Sequence, residues 1–280
     1  MPVDVNRLRT ERVYESRVPM GTLAADLAMI ESLAAEWRAA RRRLQLAGAG
    51  VLIAGLVGLA LFVPVGIALL ALAIYLFFRV RSYPKAVANH RARCEFVKSL
   101  AAMLASDADA RAQATMRLAF DPKRELLSES ALPHRKNGKQ RFYKASWFSI
   151  ETGLHDGTTF TETIDDLVRQ RSFTNPRGKS KTKTRIQSMI AMRFAYPCEV
   201  YGDATPLGEK MQKEIQLPPA AAMKGLEVTG RLVELKVLLT GSEDLARASS
   251  MLALGVYRML NLSREIEARK RAQPKKGDAQ

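Results

Sequence analysis

The sequence predicts an α+β membrane protein: a two-helix transmembrane hairpin extended by an antiparallel helical stalk, then a mainly antiparallel β-sheet cytoplasmic domain and a C-terminal helix. Three observations predict it. A charge-free run from Leu44 to Phe78 has Gln45 as its one strongly polar side chain. Helical stripes flank that run on both sides, and a change to period-two patterning follows Ala114. The predicted segments are a polar tail (1–21), the stalk with its hairpin (22–113), the β-rich domain (114–241), the C-terminal helix (242–272) and a disordered tail (273–280).

Residues 1–20 are polar and charged, carry Pro2 and Pro19, and show no sustained period, which predicts a loose tail or a short capping segment. From Thr22, Leu23, Leu27, Ile30, Ala34 and Trp37 recur at spacings of three and four, the mark of one helix face. The apolar run is next. As one helix it would be roughly 52 Å long, against a hydrocarbon core of about 30 Å. It is too long for one span and suits two short ones, so the legs are placed at 44–63 and 65–83, with the reversal at Pro64. Beyond it Val87, Cys94, Val97, Ala101, Leu104 and Ala108, with His90 between the first two, continue as a second stripe. The two amphipathic helices should run side by side as the stalk.

Orientation follows from charge. Arg38, Arg41, Arg42 and Arg43 precede the first leg, and Arg79, Arg81 and Lys85 follow the second. Such clusters favour the cytoplasmic side, so both termini are expected there, and the alanine- and arginine-rich composition points to a bacterial inner membrane. A cleaved signal peptide is not expected. Two cysteines, Cys94 and Cys198, form no disulfide framework. The competing account, a buried helix pair of a soluble protein, fits the run's length and flanking arginines less well. Gly50, Ala54 and Gly58 stand four apart on the first leg and are the helix-packing candidates, either against the second leg or against another copy.

In the β-rich part, Met116, Leu118 and Phe120 alternate as a strand, Asp121-Pro122 turns, and 122–141 reads as irregular. Trp147–Leu154 and Thr158–Ile164 form a hairpin about Asp156-Gly157. Leu167–Phe173 and Lys183–Tyr196 form another about Asn175-Pro176-Arg177-Gly178. Asp165-Asp166 reads as a strand end or turn between them. Leu207, Met211 and Ile215 predict a short helix ended by Pro218-Pro219, and Leu226–Leu239 a strand pattern broken at Gly230. Ser242 caps the last helix, whose Leu245, Leu252, Met259, Leu262 and Ile266 share a face; whether it covers the sheet, the stalk or a partner stays open.

The chain carries 44 Lys+Arg against 28 Asp+Glu, a formal net charge of +16. Its most specific polar feature is the row Arg177, Lys179, Lys181, Lys183 and Arg185. On a strand these cations fall on one face about 6.5–7 Å apart, with Ser180, Thr182 and Thr184 on the other. A second basic loop offers Arg135, Lys136, Lys139 and Arg141, followed by Phe142, Tyr143, Trp147 and Phe148 as conceivable platforms for bases. The row could hold acidic lipid headgroups or nucleic acid, or simply guard an edge strand.

Gly178-Lys179-Ser180 is no P-loop, since Phe173 stands where its first glycine belongs and no helix is predicted after it. His90, His134 and His155 have no metal-ligand spacing, and no nucleophile motif appears, so no catalytic residue, metal or cofactor is assigned. The expected role is a non-enzymatic membrane-anchored scaffold or protein-interaction module that binds a partner or its own copies. The alternatives are the anion-binding module of the basic row, with acidic lipid favoured over nucleic acid, and a membrane-shaping hairpin.

Overall fold

The computed structural model describes residues 3–81, 91–108, 112–132, 137–174, 178–240 and 245–272. They form a mixed structure of helices and an antiparallel sheet, with two long apolar helices near the N-terminus. In chain order the elements are α1 (Val5–Thr10), β1 (Val13–Pro19), α2 (Met20–Leu61), α3 (Val63–Arg81), α4 (Arg91–Asp107), β2 (Gln113–Ala119), β3 (Glu125–Ala131), β4 (Lys139–Gly153), β5 (Thr159–Thr174), β6 (Ser180–Ala195), α5 (Cys198–Tyr201), a 3₁₀ turn (Thr205–Leu207), α6 (Gly208–Glu214), β7 (Ala221–Thr229), β8 (Leu232–Thr240) and α7 (Leu245–Ala272).

The sheet has eight strands in the order β1-β2-β4-β5-β6-β8-β7, with β3 beside the first half of β4. Every pairing is antiparallel. Strands β4, β5 and β6 alternate cleanly along one half: Phe160, Glu162 and Ile164, then Ile190, Met192 and Phe194, are buried. Val233, Leu235, Val237 and Leu239 of β8 continue that face. The opposite face is polar and carries cross-strand ion pairs such as Arg117–Glu15 and Arg193–Glu234. One buried and one wetted face is the usual state of an antiparallel sheet.

Helices α4 and α7 and the first half of α2 cover the apolar face. Phe96 of α4 meets Trp147 and Phe148 edge-on, with ring centres 5.6 and 5.2 Å apart. Both aromatics are buried because β4 has a bulge: the register passes from Ser146 opposite Asp165 to Phe148 opposite Ile164, and Trp147 is the extra residue. On α7, Leu252, Val256 and Leu260 are buried and Tyr257 stacks edge-on against Phe194 at 5.8 Å, so the last helix is docked on the sheet. Its expected cap, Ser242, lies outside the described residues.

Several expectations need correction. Residues 13–19 are no tail but the edge strand β1, in full register with β2, where Tyr14 and Val18 are buried. The two amphipathic helices run antiparallel as expected, but they are part of the domain's core and not a free stalk. Phe96 and Leu100 widen the α4 stripe beyond a single seam, and only the sheet can bury them. The segment read as irregular contains β3, whose exposed, non-alternating side chains gave no period to detect. Asp165 and Asp166 lie within the continuous strand β5, each satisfied on its own face. The helical reversal falls at Phe62, two residues before the expected Pro64. Phe62 is extended, and Pro64 sits in the first turn of α3, where its missing donor costs nothing.

Candidate anion-binding arm and apolar hairpin

Two features project from this core. The first is a β arm. Strands β4, β5 and β6 are 15, 16 and 16 residues long, more than the helices cover. Beyond Asp166 the register continues to Thr174 opposite Ser180, with β3 on the far side of β4. Eight residues past Asp166 amount to about 26 Å of strand.

Register assigns the faces. Lys181, Lys183 and Arg185 of β6 lie opposite Phe173, Arg171 and Arg169 of β5, and Arg171 and Arg169 lie opposite Gln140 and Phe142 of β4. The sequence-predicted row is thus half of a two-stranded basic face, and the β5–β6 register brings Arg169 and Arg171 to it. Arg171 facing Lys183, and Arg169 facing Arg185, are like-charge cross-strand pairs, which destabilise an isolated sheet. Gln140 Oε1 accepts from Arg169 Nε (3.0 Å), Arg169 Nη2 (2.8 Å) and Arg171 Nε (2.8 Å). One neutral amide therefore gathers two guanidinium groups without neutralising them, and the Phe142 ring lies 5.7 Å beneath Arg169. Among the described residues no carboxylate pairs with Arg169, Arg171, Lys181, Lys183 or Arg185. Lys144, nearer the base on the same face, is held by Asp165 at 3.1 Å.

The second predicted loop does not join this face. Lys139 and Arg141 point to the other side of the arm, where Glu129 of β3 pairs with both, at 3.1 and 2.8 Å. Those two cations hold the Glu129 carboxyl below its ordinary range. Of the proposed aromatic platforms, Trp147 and Phe148 are core residues and closed to any base. Ser180, Thr182 and Thr184 share the Glu129 side, where Ser172 and Thr182 hydroxyls lie 3.2 Å apart. On that side Leu126, Tyr143, Val168 and Ile186 form an apolar row across four strands. Lys179 precedes β6, and Arg177, Arg135 and Lys136 lie outside the described residues.

The arm is tied to the core at its root. Arg93 of α4 donates to Asp166 Oδ2 (2.9 Å) and to the carbonyl of Ala119 (2.9 Å), and its guanidinium lies 4.7 Å over the Trp147 ring. Burial lowers the Arg93 pKa, and Asp166 counters part of that shift.

The second feature is the α2–α3 hairpin. From Leu44 to Leu61 and from Val63 to Phe78 its legs measure about 27 and 24 Å. The legs meet through small residues. A Cβ on Gly55 would stand 3.0 Å from Leu70, one on Gly58 would stand 3.2 Å from Gly66, and one on Gly66 would collide with the Leu59 backbone. Of the predicted packing candidates, Gly58 alone serves this contact. Gly50 and Ala54 are exposed on the outer face. The rest of the hairpin surface is bare: Leu46 is 75 % exposed, Leu61 82 % and Phe78 63 %. Arg38, Arg41, Arg42, Arg43, Arg79 and Arg81 gather at its open end, whereas Leu61, Phe62, Val63 and Pro64 form its tip. Lys85 lies outside the described residues.

Reactive groups outside these features are built into the fold. Burial pushes the Cys94 thiol up to about 11, opposite to the shift of a reactive cysteine. His155 sits in the β4–β5 turn with its amide on the Asp107 carbonyl at 2.9 Å, and His90 and His134 lie outside the described residues. Gly178-Lys179-Ser180 leads into strand β6, not into a helix, with Gly178 at a φ of +76°. Among the described residues no group of three His, Cys, Asp or Glu could hold a metal ion. No family model, curated protein or solved structure matches this chain.

Proposed function

We propose that the protein is a non-catalytic scaffold anchored in a membrane by the α2–α3 hairpin, with the sheet and α7 displayed on the cytoplasmic side. The observation that carries this reading is the bare hairpin. Soluble monomers rarely expose a contiguous apolar patch above a few hundred Å². Here the second half of α2 and the adjoining α3 expose apolar side chains from Leu46 to Phe78. Their legs approach the roughly 30 Å of a hydrocarbon core. The arginines at the open end supply the cytoplasmic bias, and an inner bacterial membrane is the compartment that fits. A second reading, self-association within the bilayer, is favoured by Gly50 and Ala54, which face away from α3 and would let another helix approach.

Alkaline extraction tests the anchor. The full chain should stay in the membrane pellet, and a variant with residues 44–78 replaced by a short Gly-Ser linker should move to the soluble fraction. Recovery of the full chain in the soluble fraction would overturn the reading.

A further inference from the structure

We infer that the basic face of the β arm is a second membrane contact, which binds the phosphate groups of anionic phospholipids in the leaflet that the hairpin enters. The inference rests on the membrane reading above and names the partner of the arm.

Direction is the first argument. Two ties set the β4–β5 hairpin alongside α4: the bridge of Ala108, just past α4, to Leu154 in the turn before β5, and the Arg93–Asp166 pair at the other end. Passing from the first tie to the second, α4 is followed from its C-terminus to its N-terminus. Helix α2 runs the same way, because it starts at Met20, beside the Pro19–Gln113 end of β1, and reaches Arg38 where that residue lines a cleft with Arg91. The arm continues past Asp166 in the sense in which α2 enters its apolar run. From Arg38 to Leu44 α2 climbs only about 9 Å. The arm's reach of about 26 Å therefore suffices to arrive at the interface plane.

Charge is the second argument. Guarding a sheet edge accounts for lysines on β6, whose distal half has β5 on one side and meets β8 only from Gln187. It does not account for Arg169 and Arg171, which sit on β5 between β4 and β6. Facing like charges held together by a neutral amide are an arrangement that an anion relieves. Guanidinium groups suit phosphate oxygens in particular. The hairpin's own arginines make the basic surface continuous in function with the anchor, and each cation near an anionic leaflet strengthens binding roughly fivefold.

Hydrogen–deuterium exchange of the full chain in lipid nanodiscs tests the inference, using phosphatidylcholine discs and discs in which a third of the lipid is phosphatidylglycerol. Amides over 180–186 should exchange at least about fivefold more slowly in the anionic discs, and the difference should vanish in about 1 M salt. A Lys181→Gln, Lys183→Gln, Arg185→Gln variant should insert into both discs but lose the difference. Equal exchange in both discs would overturn the inference, while retained insertion would leave the anchor reading standing. Slowing of these amides by a single-stranded oligonucleotide, with none by anionic discs, would overturn it in favour of nucleic acid.

Discussion

Glu162 is the least expected side chain of the core. It lies on β5 among Phe160, Ile164 and Met192, fully buried, and Ser249 of α7 donates to its Oε1 at 2.5 Å. Its second oxygen, Oε2, has no partner among the described residues. Burial raises its pKa to about 8, and the Ser249 hydroxyl offsets a little of that rise. A raised carboxyl pKa means that the folded state holds the proton where the unfolded chain, near 4.5, releases it. The contribution to stability is fully present below about pH 4.5 and is lost as pH rises through about 8. Glu162→Gln should therefore be close to neutral at pH 5 and stabilising by about 1–3 kcal/mol at pH 9. Thermal melting of both proteins across that range checks it, and a constant difference at every pH would contradict it. The alternation of β5 was legible in the sequence, including the even positions that hold Glu162. That this one acid would be covered was not, because α7 brings the cover from 87 residues away.

At the scale of elements, periodicity reports only those faces that carry apolar residues at regular spacing. Leu23, Leu27 and Ile30 of α2 did so, and all are buried. The hairpin flagged by Asp156-Gly157 also forms, with Gly157 at a φ of +84°, and the single strand pattern read as broken at Gly230 is two paired strands, β7 and β8. Strand β3 carries Glu125, Ser128, Glu129 and Ser130 at the arm's edge and had no period to show. The basic face was half legible: the row 181, 183 and 185 was read from alternation alone. Arg169 and Arg171 follow only once the register of the β5–β6 pair is known, and residues 175–178 were the available signal for it. The hairpin contact was legible only at Gly58, because a four-residue repeat of small side chains marks a face without saying what lies on it. Gly66 makes the closest approach of the two legs, where an added Cβ would collide with the Leu59 backbone. Gly66→Val should therefore force the legs apart and cost about 1–3 kcal/mol of overpacking. Proteolysis of the detergent-solubilised protein reads this as faster cleavage near residue 62 than in a Gly50→Val control, where an added Cβ meets nothing within 4 Å. Equal cleavage of the two variants would show that the legs do not pack as described.

The whole molecule is a sheet covered on one face by α2, α4 and α7, from which an apolar hairpin and a basic arm extend in the same sense. Long α2 joins the two parts without a break, since its first turns are core and its last turns are hairpin. Moving the domain would therefore move the hairpin, which suits the proposed scaffold that holds its surface at a fixed height. The sequence made the apolar run plain, but not that its leading helix would be buried in the domain below. The central claim is that the hairpin lies in lipid while the arm faces the cytoplasm. Labelling by a membrane-impermeant maleimide tests it most directly, in vesicles with the cytoplasmic face outward, comparing Val63→Cys at the tip with Ser180→Cys on the arm in a Cys198→Ser background. The account predicts rapid labelling at position 180 and none at position 63 until detergent is added. Labelling of both positions at the same rate in intact vesicles would place the hairpin in water and contradict it.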